Sequence, residues 1–305
     1  MSDPFFKPLI NKILLLPLLV TAMLLFSGCL PSKRNNGKVR VAAGIPPVAY
    51  LASRIGGDRV EVVTVLPEGR TPHDFSSRPK TVREMSQAKL LLSTGMPFEE
   101  QLAEVMKSRG EVCDVTAGIK RIDFTDGRSE PHHHHDCGDH GDGDPHVWLS
   151  PENAAAMADN ITAALCRIDP EGAEIYRKNC AELKQELAAL GAQIKKDLQP
   201  FEKKTFFVYH PAFGYFADFC NLRQRAVELN GREASAVQQA AIIREARACG
   251  AGTIFVQKQF NPRTAEALAA KIGGTVEYLD PLEYDLIANM RKISAALKAG
   301  FTRSR

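Results

Sequence analysis

The chain has no apolar run of membrane-spanning length, little net charge and a single tryptophan among its 305 residues. Its longest apolar stretch, Ile13 to Phe26, covers ~14 residues against the ~20 that a helix needs to cross a bilayer. Lys7 and Lys12 precede that stretch, and Ser27, Gly28 and Cys29 close it. Positive start, short apolar middle and small residues ending in Cys are the pattern of an export leader with a lipoprotein cleavage site. Residues 1–28 are therefore expected to be a leader, Cys29 the lipidated residue and residues 29–38 a polar tether. An uncleaved helical anchor has a similar consequence, because either way the remainder is displayed beyond the inner membrane. The formal net charge is only +3, and the basic residues are scattered or at the ends, so no nucleic-acid face is expected. There is no H-E-x-x-H, and no isolated carboxylate stands out as a general base, which argues against a hydrolytic zinc centre and against an enzyme.

Of the seven cysteines, six remain if Cys29 takes lipid: Cys113, Cys137, Cys166, Cys180, Cys220 and Cys249. An even number in an oxidising compartment permits disulfides. Cys166 and Cys180 flank a helix junction, and Cys220 and Cys249 share a lobe, so these are two possible pairs. The alternative is that most are small buried apolar residues.

The rest of the chain has enough residues for two lobes of ordinary domain size. Strand patterns at Val39 to Ala43, Val60 to Leu66 and Lys89 to Ser93 alternate with helical stretches at Pro47 to Ile55 and Pro79 to Gln87, which predicts a parallel sheet covered by helices. Ser150, with Pro151 after it, reads as the N-cap of a helix running to Arg167. A second helix follows Asp169-Pro170 and continues to about Leu198. At roughly 40 Å it is longer than one small lobe needs and is expected to be a strut. Alternation then resumes: strands Thr205 to Tyr209, Arg225 to Glu228, Thr253 to Val256 and Thr275 to Leu279, with helices Phe213 to Cys220, Ala236 to Cys249 and Arg263 to Ile272. A last helix is expected from Leu286 to Ala299. The predicted organisation is a first α/β lobe at 39–150, helices at 151–200 and a second α/β lobe at 201–305.

The eight histidines fall into two groups. His132, His133, His134, His135 and His140 lie in one segment, Glu130 to Asp144, beside Asp136, Asp139, Asp142, Asp144 and Cys137. This segment has no apolar core residue, so a loop is expected, and imidazoles beside carboxylates there bind borderline metals weakly and in several geometries. The other three, His73, His146 and His210, are isolated and fall where strands should end or loops begin. Ligand sites of α/β sheets lie beyond the carboxyl ends of strands. His210 follows one predicted strand directly, and Asp280 follows another. Three imidazoles and one carboxylate would make a tetrahedral N/O site, although no compact motif links these distant positions.

Several stretches carry a family resemblance: Pro72-His73-Asp74-Phe75; Ala88 to Gly95 with Glu99 after it; Asp144-Pro145-His146-Val147-Trp148-Leu149-Ser150-Pro151; His210-Pro211-Ala212-Phe213-Gly214-Tyr215-Phe216; and Leu279-Asp280-Pro281-Leu282. Through them the chain resembles the metal-binding lipoproteins of zinc and manganese ABC transporters, the ZnuA/TroA-like solute-binding family. The resemblance implies two Rossmann-like α/β lobes joined by a long rigid helix, with the metal in the cleft between them. It implies His73 and His146 as ligands from the first lobe, and His210 and Asp280 from the second. It further implies a membrane permease as partner, a periplasmic or cell-surface location and a protein anchored by lipid on Cys29; nothing in the sequence demands more than a monomer.

Two departures from the family pattern stand out. Gln257 occupies a position where the family commonly has an acid, and Arg232-Glu233-Ala234-Ser235 only partly matches a Glu-Pro-Ser pattern. Either could alter what surrounds the ligands and hence affinity. Three imidazoles favour Zn2+ over Mn2+, which suits harder oxygen ligands. A manganese or other transition-metal protein of the same type, and a stand-alone metal buffer or adhesin, remain the alternative expectations.

Overall fold

The computed structural model describes residues 37–72, 75, 79–85, 87–123, 143–228 and 234–303. The expected leader, Cys29, Cys137, His73 and the loop histidines His132, His133, His134, His135 and His140 lie outside the described residues. Lys38–Arg305 form one compact unit.

Four strands and three helices open this unit in the order β1 (Val39–Ala43), α1 (Pro46–Gly56), β2 (Val60–Thr64), α2 (Pro79–Met85), β3 (Leu90–Ser93), α3 (Pro97–Lys107) and β4 (Glu111–Asp114). Among the described residues the strands form a parallel sheet in the order β2-β1-β3-β4. Two helices, α4 (Pro151–Ile168) and α5 (Ala173–Leu198), lead to β5 (Thr205–Val208), α6 (Gly214–Phe219), β6 (Arg223–Ala226), α7 (Ala236–Ala248), β7 (Thr253–Gln257), α8 (Arg263–Ile272), β8 (Thr275–Leu279) and α9 (Leu286–Arg303). The second sheet repeats the first, parallel in the order β6-β5-β7-β8.

Both faces of the second sheet are covered, as parallel sheets require. Phe206, Val208 and Phe255 join a large core that also contains first-lobe residues such as Val41 and Leu91. Phe207, Ile254 and Val256 point the other way, into a smaller core with Ile242 and Leu268. Alternation with period two along β5 and β7 produces both layers from one sheet.

Ser150 caps α4 as its sequence suggests: its hydroxyl accepts from the Asn153 amide, and Pro151 takes the first turn. At the α4–α5 junction, the Arg59 guanidinium donates to both carboxylate oxygens of Asp169 at 2.9 and 3.0 Å. This fork holds the Asp169 carboxyl below its usual range. Helix α5 spans 26 residues, roughly 39 Å at 1.5 Å per residue. Its buried stripe, Tyr176, Cys180, Leu183, Leu187, Leu190, Ile194 and Leu198, recurs every three or four residues. It packs on α4 and α1 of the first half and on α9 of the second, which is the strut expected from its length.

Three expectations need correcting. Cys166, Cys180, Cys220 and Cys249 are free thiols, so neither Cys166–Cys180 nor Cys220–Cys249 is paired; Cys113, Cys180 and Cys220 are buried as small apolar residues instead. Helix α3 and strand β4 lie where no element was expected. β6 covers Arg223–Ala226, two residues earlier than its expected span.

Candidate metal centre

His146 and His210 are 64 positions apart in the chain and meet at the junction of the two lobes. Their ring centroids lie 5.4 Å apart with planes at 76°. Two imidazoles sharing a tetrahedral zinc at 2.0–2.1 Å would place their centroids roughly 5 Å apart. The space they border is about 10 Å³, lined also by Thr71, Pro72, Gln259, Phe260, Pro281 and Leu282. That volume suits one small ion or water. Thr71 and Pro72 immediately precede His73, which lies outside the described residues.

Each imidazole is backed by a buried carboxylate. Asp144 Oδ1 accepts from the His146 backbone amide at 2.9 Å and lies 2.8 Å from His146 Nδ1. Glu228 Oε1 lies 2.6 Å from His210 Nδ1. All four residues are buried. A proton held on Nδ1 by a carboxylate leaves the Nε2 lone pair as the coordinating one, and the carboxylate raises that nitrogen's basicity.

Local folding explains both pairs. Asp144 and His146 lie within one turn that leads into the 3-10 segment Val147–Leu149 and then α4. Its start is fixed where the Asp144 amide donates to the Ile122 carbonyl at 2.9 Å, and the Tyr215 hydroxyl donates to the Asp144 carbonyl at 2.8 Å. Glu228 reaches His210 because the parallel pairing of β5 and β6 continues past the strand ends: Val227 N donates to Val208 O, and Glu228 N to Tyr209 O.

His210 itself sits at the switch point between β5 and β7, where strand order reverses. There the Gln257 amide clasps its backbone, accepting from His210 N at 3.1 Å and donating to His210 O at 2.5 Å. An acid at this position, as the family commonly has, could accept the first bond but not donate the second. Burial, the largest cause, pulls the His210 pKa below the ordinary imidazole value, and the Glu228 hydrogen bond opposes that shift.

Asp280 follows β8 as expected, yet it does not border the space between the two imidazoles. Its Oδ1 accepts from Gln259 Nε2 at 2.8 Å and from Leu282 N at 2.9 Å, while Oδ2 lies 3.9 Å from Lys258 Nζ. Among the described residues no three of His, Cys, Asp and Glu approach closely enough to hold a metal. The described histidines brought together are thus His146 and His210, with Asp280 one side chain away. Trp148 ties the two lobes at this point: its ring lies 5.4 Å from His146, and its Nε1 donates to the carbonyl of Pro281 at 2.7 Å.

Sequence reasoning missed the roles of Glu228 and Gln259. Asp144 stood in the His146 motif, and its spacing of two residues was the available signal. Glu228 is expected to matter in a measurable way: Glu228→Gln should weaken zinc binding ~10–100-fold, read by competition with a chelator at neutral pH. An unchanged affinity would mean that the carboxylate does not tune His210.

The chain is thus a two-lobed α/β protein with paired, carboxylate-backed histidines at the lobe junction. Residues 41–300 match the family model for the periplasmic zinc-uptake complex component A, and the chain belongs to that family. It is 32% identical over 257 residues to the high-affinity zinc uptake system protein ZnuA of Bacillus subtilis, covering 82% of this chain and 80% of that protein. A crystal structure of ZnuA superposes with a TM-score of 0.78 at 30% identity, over 86% of this chain and 99% of the other. A ZnuA deletion mutant with zinc bound superposes at 0.77, also at 30% identity, over 86% and 98%.

Proposed function

We propose that this protein is the extracytoplasmic solute-binding component of an ABC transporter that captures Zn2+ and delivers it to the membrane permease. The observation that carries the proposal is the His146–His210 pair, 5.4 Å apart, each ring backed by a buried carboxylate around an ion-sized space. His73, His146 and His210 supply nitrogen donors, and Asp280 supplies oxygen and offsets part of the ion's charge. The zinc-bound relative and the zinc-uptake family support this choice of cargo, and three imidazoles suit zinc better than manganese. Residues 1–28 are the leader, Cys29 carries lipid, and the lipid-anchored monomer works in the periplasm or at the cell surface. The lobes 39–150 and 201–305 flank the helical segment 151–200. The segment 130–144, with His132, His133, His134, His135 and His140, gathers metal as a local collector.

The chain acts as a carrier rather than an enzyme. Asp144 and Glu228, the carboxylates against the imidazoles, are engaged with Nδ1 atoms, positions that orient ligands rather than activate a water. Both rings must be neutral to bind, so loading releases any proton they hold.

The test removes residues 124–142; the flanking chain is already joined by the bond from Asp144 N to Ile122 O. The metal-stripped protein is titrated with zinc against a competing chelator while the fluorescence of Trp148 is followed. One tight site with unchanged affinity is expected. Loss of tight binding together with the segment would make the protein a loop-based metal buffer.

A further inference from the structure

Between the imidazole pair and Asp280 stands Gln259. It borders the small space shared by His146 and His210, and also a second space of about 360 Å³ that includes Asp280, Lys258, Glu68 and Glu283. Among the described lining residues, Asp280 borders only the second. The Gln259 amide holds it there through Nε2 to Asp280 Oδ1 at 2.8 Å, and Leu282 N shares the same oxygen at 2.9 Å. The other end of that amide is unsatisfied: Gln259 Oε1 is buried and has no hydrogen-bond partner among the described residues. Asn289 meanwhile fixes the Asp280 backbone, donating to its carbonyl at 2.6 Å. The Asp280 main chain is thus anchored independently of its carboxylate.

We infer that Gln259 is a latch that holds the Asp280 carboxylate away from the imidazole pair, so that the amide and the metal ion compete for the same ligand. This rests on the reading of Asp280 as a zinc ligand. Capture requires Asp280 to exchange an amide donor for the ion, and the exchange frees Gln259 to turn its dry Oε1 toward a donor. An acceptor kept without a partner makes the latched arrangement weak, so it yields readily to a cation. On the return path the latch re-forms as the metal leaves, which speeds release to a permease. Gln259 is a positioning residue: it touches the ligand, not the ion.

The experiment compares the full chain with Gln259→Met, Asp280→Ala and the double variant. Methionine keeps the side-chain length and apolar stem and removes the donor. Zinc Kd is measured by chelator competition and the zinc release rate by stopped flow, with metal-free melting recorded for each protein. Gln259→Met is expected to tighten zinc ~10-fold, about 1.4 kcal/mol, through slower release. In the Asp280→Ala background the same substitution is expected to change nothing, because the competition has no object. If Asp280→Ala weakens binding but Gln259→Met weakens it too or leaves it unchanged, the latch is wrong and Gln259 only preorganises the carboxylate or fills space. If Asp280→Ala leaves zinc affinity intact, the ligand reading itself fails and the latch with it.

Discussion

Replacing His210 with alanine is expected to weaken zinc binding at least ~1000-fold, about 4 kcal/mol. Removing the carboxylate behind such a ligand costs ~10–100-fold, so removing the ligand must cost more. His210 is 6% exposed and holds Glu228 Oε1 at 2.6 Å. The single variant therefore also leaves a buried carboxylate without its ring and should melt earlier. The double variant His210→Ala/Glu228→Gln separates the two effects, recovering part of the melting temperature and none of the affinity. Wild-type affinity in the double variant would remove His210 from the ligand set.

The pH response follows from the same burial. The His210 pKa lies below the ordinary imidazole value because the charged form is desolvated. The unfolded chain therefore takes up this proton first, and the stability tied to neutral His210 is complete above ~6.5 and declines as pH falls below it. For metal binding the direction is favourable: His210 remains a neutral ligand at a pH where an ordinary histidine is protonated. Because imidazole binding requires loss of protons, zinc occupancy of the wild type should fall in a titration from pH 7.5 to 5.

How much of this was readable in the chain depends on which residues carry the information. Strands β1, β3, β5 and β7 announce themselves as short, mostly apolar runs, and α5 by its length and its leucine stripe. β4 reads Glu-Val-Cys-Asp and lies at a sheet edge with three of its four residues exposed, so its sequence lacks the apolar run that marks a buried strand. β6, Arg-Gln-Arg-Ala, is polar for the same reason. For α3 the signals existed: Pro97 at the start, with Glu99 and Glu100 in the first turn. The candidate ligands His146 and His210 could be placed at loop starts and strand ends. Their carboxylate partners could not all be placed, because Glu228 becomes adjacent to His210 only through the parallel β5–β6 register, 18 residues away. Asp280 was readable as a strand-end carboxylate, whereas its orientation toward Gln259 and Lys258 depends on side-chain packing that no local pattern encodes.

Gly44→Ala should lower stability by about 4 kcal/mol, because it overpacks a core and disrupts the buried Glu99 hydrogen-bond network at once. A Cβ at this position would fall 1.5 Å from Glu99 Oε1. The backbone cannot retreat, since Gly44 N donates to Leu92 O and Gly44 O accepts from Leu66 N, both at 3.0 Å. Nor can Glu99 move without loss. It is 1% exposed, and its Oε2 accepts from Ser93 Oγ, Thr94 N, Thr94 Oγ1 and Met96 N at 2.8–3.1 Å. Burial raises the Glu99 pKa, and those four donors oppose the shift. The carboxylate occupies the β1–β3 switch point of the first sheet, as Gln257 and His210 occupy the β5–β7 switch point of the second. In one lobe the strand-end site is filled by a structural side chain, and in the other by a candidate ligand. Gly44→Ala should therefore shift the urea midpoint sharply, or prevent recovery of folded protein. A conservative test at the same socket, Glu99→Gln, keeps the volume and should cost less. A Gly44→Ala variant as stable as wild type would mean that Glu99 does not fill this socket.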